Sequence, residues 1–158
     1  MGNIRKVVSL LKELGRSVST MESCTGGGLA NAITNVEGAS DVFEFSAVTY
    51  SNDFKIKMGV DSSVIEKYSV YSVETARSMS KAISDYTKST YGIGITGKIN
   101  RVDKKNPYGE DNVVFFSIYD SINDKYYTSS LEAMDASRKD NKKYIIEEVG
   151  KLFLSILE

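Results

Sequence analysis

The sequence predicts an α/β fold, a three-layer α/β/α sandwich around a mixed, mostly parallel sheet of about five strands. Three observations carry this expectation. Short β-prone segments alternate with amphipathic helical stretches through most of the chain. Two later strand-like runs flank a polar turn, as in a hairpin, and a long helical pattern closes the sequence.

Composition sets the bounds. The 158 residues, 41% hydrophobic and 26% charged, suit one ordinary domain over residues 1–158. A net charge of -1 provides no bulk attraction to nucleic acid or anionic lipid. No apolar run approaches a membrane span, so the protein is expected in the cytoplasm. One cysteine and no histidine exclude an internal disulfide and the usual Cys/His metal sites, structural zinc among them. No cofactor is expected.

Within residues 4–14, Ile4, Val7, Val8, Leu11 and Leu14 recur at helical spacing, and Gly15 stands where a left-handed residue closes a helix. Residues 17–21 are short and β-compatible, and Thr25 can cap a second helix carrying Leu29, Ala30 and Ile33. Residues 42–50, rich in Val and Phe, read as another strand, followed by a short helix capped by Ser51 or Asn52 and reaching Met58. A short capped helix is expected over 61–68 and a longer one over 72–87, its stripe formed by Ala76, Met79, Ile83 and Tyr86. Both are expected to cover the sheet. Residues 91–96 form a central strand thinned by glycines for close packing, and residues 97–112 form the longest loop. Residues 113–119 and 126–131 make the hairpin. The final helix, over about 136–157, presents Ile145, Ile146, Val149, Leu152, Phe153 and Ile156 along one side.

In such sheets ligands bind beyond the carboxyl ends of the strands, where Ser23, Tyr50 and Thr96 all fall. Residues 21–28 read Met-Glu-Ser-Cys-Thr-Gly-Gly-Gly, a strand that ends in a serine and glycines just before a helix. Glycine lets the backbone approach a ligand closely, and free N–H groups at a helix start attract negative charge. With no histidine in the chain, a Ser23 nucleophile needs another base. Tyr50 places a phenol at a strand end and Lys55 an ammonium about one helical turn later. A desolvated lysine has a depressed pKa and can act as base directly or through the tyrosine hydroxyl. The plainer reading leaves Tyr50 at the core edge and Lys55 in solvent. Glu22 reads as buried support for the turn or as an ordinary polar strand end. Cys24 reads as a small buried hydrophobe or as a thiolate at a helix start. Lys98, Arg101, Lys104 and Lys105 either meet a phosphate or are simply solvated.

These motifs, in this order, resemble the family of the CinA C-terminal domain, which also occurs alone as nicotinamide-nucleotide amidase. The family's Ala-Glu-Ser-Cys-Thr-Gly-Gly has its counterpart at residues 21–27. Its Thr-Tyr-Ser-Asn, Lys and Leu-Gly-Val elements match Thr49-Tyr50-Ser51-Asn52, Lys55 and Met58-Gly59-Val60. A Val-Ser-x-x-x-Ala-x-x-Met helix entry matches Tyr71, Ser72, Ala76 and Met79, a Thr-Gly matches Thr96-Gly97, and an arginine opening the last helix matches Arg138. The resemblance implies a metal-free hydrolase that converts nicotinamide mononucleotide to nicotinic acid mononucleotide and ammonia. It implies catalytic roles for Ser23, Tyr50, Lys55 and Thr96. Substrate contacts would come from Glu22, Cys24, Thr25, Gly26, Gly27, Ser51, Asn52, Gly97 and Arg138, with backbone N–H groups of residues 25–27 holding the oxyanion or the phosphate. The partner implied is a small nucleotide, with a homodimer left open. The chain is expected to stand without the N-terminal domain of full-length CinA proteins. One segment departs from the family. Its Ile-Ala-Gly-Pro-x-Gly-Gly after Thr-Gly is replaced by Lys98-Ile99-Asn100-Arg101-Val102-Asp103, while Pro107 and Gly109 resemble the end of the family loop. An alternative reading is therefore a nucleotide-binding or protein-interaction module that has lost turnover.

Overall fold

The computed structural model describes residues 2–99 and 112–158. Helix α1 (Asn3–Leu14) closes on Gly15, whose φ of 64° is the left-handed conformation that glycine adopts without strain. Strand β1 (Val18–Glu22) leads through the glycine turn to α2 (Gly28–Thr34), and a 3-10 turn (Ala39–Asp41) precedes β2 (Phe43–Val48). Helices α3 (Asn52–Lys57), α4 (Ser62–Tyr68) and α5 (Val73–Thr87) follow. Strand β3 (Tyr91–Gly97), the hairpin of β4 (Val113–Asp120) and β5 (Lys125–Glu132), and α6 (Arg138–Leu157) complete the described chain. Side-chain caps at Ser51, Asp61, Ser72 and Ser137 start α3, α4, α5 and α6.

The strands form one mixed sheet in the order β2-β1-β3-β4-β5. β1 pairs parallel with β2 and β3, while β4 pairs antiparallel with β3 and β5. Only β4 therefore runs against the others. On one face, Ile4, Val7, Val8 and Leu11 of α1, Leu29 and Ile33 of α2, and Ile145, Val149 and Phe153 of α6 bury against Ile93, Ile95, Val114, Phe116 and Ile118. On the other, Met79 and Ile83 of α5 pack with Met21 and Val60. The expected three layers are present.

The β3 glycines set the distance between α5 and the sheet. A Cβ at Gly94 would collide with the Ala76 carbonyl and lie 2.7 Å from Met79 Cβ, and one at Gly92 would collide with the Ser80 carbonyl. Backbone thus packs on backbone, which any side chain would prevent.

Two expectations for this layer change. Tyr86, placed on the buried stripe of α5, is 65% exposed and leans against the Phe45 ring, 5.6 Å between centroids. Helix α4 buries no residue and packs against α5 rather than on the sheet. Its apolar residues are Val64, Ile65 and Tyr68, and Ile65 joins the edge of the Met21, Val60, Met79 and Ile83 cluster, a stripe too narrow to hold a sheet face.

Candidate active site

The parallel register brings three strand ends level. Glu22 pairs with both Val48 and Ile95, so Ser23, Thr49 and Thr96 emerge at the same carboxyl rim. The Ser23 amide donates to the Ile95 carbonyl at 3.1 Å, and the Thr49 amide donates to the Glu22 carbonyl at 2.8 Å. These bonds continue the ladder past the strand ends and fix the serine backbone.

Helix α3 then turns Lys55 back beneath the rim. Its Nζ donates to Ser23 Oγ at 3.1 Å and to the Thr49 carbonyl at 2.7 Å. Lys55 is 1% exposed and Ser23 is 8% exposed. A buried lysine next to a serine hydroxyl, anchored by a backbone carbonyl, is a costly arrangement for a purely structural role. The reading of Lys55 as a solvated residue does not survive this burial. The Thr49 hydroxyl is also buried and has no partner among the described residues. It lies on the residue whose carbonyl holds Lys55, and only its place at a strand end beside Tyr50 signalled it.

The other residues assigned from sequence divide by position. Tyr50 is 66% exposed, and its hydroxyl makes no hydrogen bond among the described residues, so the expected relay through it is not assembled. Thr96 is fully buried and donates to the Val70 carbonyl at 2.9 Å, tying β3 to the segment before α5 rather than to Ser23. Gly97 pairs with Val114 inside the sheet. Ser51 is an exposed helix cap that accepts from the Phe54 amide, and Asn52 opens α3.

Glu22, expected to contact substrate, is fully buried with its oxygens occupied. Oε1 accepts from Thr25 Oγ1 at 2.6 Å and the Leu29 amide at 2.9 Å, and Oε2 accepts from the Ala30 amide at 2.9 Å. The carboxylate caps α2 from the end of β1. Thr25 is not the cap; its hydroxyl serves Glu22, and the N-cap position falls to Gly27 at φ 94°. The α2 start therefore already holds a negative charge, which weakens its pull on another anion.

Within the turn, the Gly26 amide donates to the Ser23 carbonyl and the Gly28 amide to the Thr25 carbonyl, both at 3.0 Å. The N–H groups of Thr25 and Gly27 donate to no acceptor among the described residues. Cys24 is buried, and burial pushes its thiol up to about 12 from 9.0, so the thiolate alternative is excluded at neutral pH.

Helix α6 borders the turn. Arg138 donates to the Ile99 carbonyl, and its positive charge is felt at Cys24. Ile99 itself is buried in the core, and the Lys98 ammonium lies 4.9 Å from the centroid of the Tyr71 ring. Arg101, Lys104 and Lys105 lie outside the described residues. Among the described residues no group of His, Cys, Asp or Glu side chains could hold a metal ion. No helix there is long and apolar enough to cross a membrane.

A putative competence-damage inducible protein of Natranaerobius thermophilus is 35% identical over 94% of this chain, which corresponds to 36% of that protein. One from Caldanaerobacter subterraneus is 45% identical over 58% of this chain, 22% of its own length. The chain thus spans a fifth to about a third of the curated relatives it matches. The fold is shared with a competence or damage-inducible protein from Enterobacter asburiae, at TM-score 0.90 and 22% identity over 99% of this chain and 96% of that one. A competence/damage inducible protein from Agrobacterium tumefaciens superposes at TM-score 0.87 with 23% identity, covering 100% of this chain and 98% of that one. The model of the CinA C-terminal domain matches residues 3–157, and the chain belongs to that family.

Proposed function

We propose that this protein is a serine amidohydrolase that cleaves the carboxamide of nicotinamide mononucleotide, releasing ammonia and nicotinic acid mononucleotide. The observation that carries this reading is the buried Lys55 Nζ, 3.1 Å from Ser23 Oγ at the rim of a parallel sheet. In its neutral form Lys55 takes the Ser23 proton as Oγ attacks the carboxamide carbon. The N–H groups of Thr25 and Gly27, which have no acceptor among the described residues, would receive the developing oxyanion. The tetrahedral intermediate then collapses, the C–N bond breaks, and the proton on Lys55 goes to the leaving ammonia. Water repeats the sequence on the ester and frees Ser23. Tyr50, exposed and without a hydrogen bond among the described residues, has no part in this proton transfer.

The test is ammonia release from nicotinamide mononucleotide by the purified protein, with Ser23→Ala as the comparison. Release by the wild type and its loss in the variant are expected, and equal release by both would remove Ser23 as nucleophile. A second reading, a nucleotide-binding module without turnover, is favoured by the replacement of the glycine-rich family loop from Lys98 onward. Calorimetric binding of the nucleotide by a wild type that releases no ammonia would establish it.

A further inference from the structure

We infer that Lys142 is the residue by which this protein selects a phosphorylated substrate. The inference rests on the nucleotide-amide reading above and names the group that meets the phosphate. The start of α2, beside the nucleophile, cannot draw an anion strongly, because the Glu22 carboxylate already takes the Leu29 and Ala30 amides. The phosphate of a nucleotide whose carboxamide reaches Ser23 must therefore be met by side-chain cations.

Two such cations stand on one face of α6. Arg138 and Lys142 are one helical turn apart, so their side chains are neighbours. Arg138 is partly committed, since it donates to the Ile99 carbonyl. Lys142 is not: it is half-buried, and its ammonium has no hydrogen bond or ion pair among the described residues. Its Nζ lies over the serine turn, 3.3 Å from where a Cβ on Gly26 would be. Gly26 holds φ at 59° and leaves that space to the ammonium. A half-buried cation without a partner among the described residues, lying over the serine turn, is suited to an anionic ligand. The dianionic phosphate of a nucleotide fits this need, and a neutral riboside does not.

The experiment compares nicotinamide mononucleotide with nicotinamide riboside in wild type, Lys142→Gln and Lys142→Arg. Two readouts are used: kcat/KM for ammonia release, and calorimetric affinity in a Ser23→Ala background that cannot turn over. The wild type should prefer the nucleotide, and Lys142→Gln should reduce that preference roughly tenfold or more, the scale of one charge-assisted hydrogen bond. The loss should appear in KM rather than kcat, and Lys142→Arg should restore most of it. Melting curves should show that all three proteins are folded. Retention of the full preference by Lys142→Gln, equal binding of the two ligands by the wild type, or binding of neither overturns the inference. Ammonia release in the absence of any phosphate preference would leave the amidase reading standing while this one fails. Phosphate-dependent binding without ammonia release would do the reverse.

Discussion

At the residue scale, Lys55 and Tyr50 exchange the weights that their types alone would give them. A lysine is ordinarily the solvated residue and a tyrosine the buried one, yet here Lys55 is buried against Ser23 and Tyr50 stands in solvent. The short helix α3 explains the exchange, because its cap at Ser51 starts the turn that carries Lys55 inward while Tyr50 remains outside it. Tyr50→Phe is accordingly expected to lower kcat by far less than the ~10²-fold minimum typical of a group that transfers a proton. Steady-state ammonia release checks this, and a loss on that scale would reinstate the relay. Cys24 gives a second prediction. Its thiol keeps its proton in the fold up to about 12, against 9.0 for an exposed thiol, so native protein should resist alkylation at neutral pH. Tyr119 behaves likewise, raised from 10.0 to about 12 by its hydrogen bond to Asp124 and by burial. Both groups have folded pKa values above their unfolded ones. Their contribution to stability is complete below about pH 9 and is lost as pH rises toward 12. Denaturant midpoints measured across that range should fall, and a constant midpoint would contradict the assignment.

At the element scale, two contacts position the site. The β3 glycines admit α5 against the sheet, and Glu22 ties the end of β1 to the start of α2. Gly94→Ala forces a methyl group into the α5 backbone and is expected to destabilise the protein by about 1–3 kcal/mol or to prevent folding. Urea unfolding measures this, and an unchanged midpoint would show that α5 can shift freely. Much of the element order was readable from sequence, since its signals are local: Gly15, Ser51, Asp61 and Ser72 mark helix ends by their own chemistry. The cap of α2 was not readable in this way. It comes from a glutamate on the preceding strand, and Thr25, which has the right residue type, is turned toward that glutamate instead. Tyr86 was misplaced for a related reason. Helical spacing assigns a stripe but does not tell where the edge of the sheet beneath it ends.

At the scale of the whole molecule, the candidate active site is a product of topology. Parallel pairing of β1 with both β2 and β3 is what sets Ser23, Thr49 and Thr96 level, although they are far apart in the chain. The convergence of strand ends could be inferred from the alternation of strands and helices. The partners could not: Thr96 binds the Val70 carbonyl, and Lys142 reaches Gly26 from the last helix, contacts that leave no pattern in local sequence. The match to the family model extends over residues 3–157. The substituted stretch after Gly97 begins inside the fold, where Ile99 joins the core and Lys98 lies over Tyr71.

The central claim is that Lys55 is the base for Ser23. The most direct test is the rate of ammonia release from nicotinamide mononucleotide against pH, for the wild type and for Lys55→Met shown to be folded by circular dichroism. Only a neutral amine accepts the serine proton, so the wild-type rate should rise between about pH 6 and about pH 9, and Lys55→Met should lose ~10²-fold or more and lose the pH dependence. A flat wild-type profile, or a Lys55→Met protein that turns over at the wild-type rate, would contradict the account.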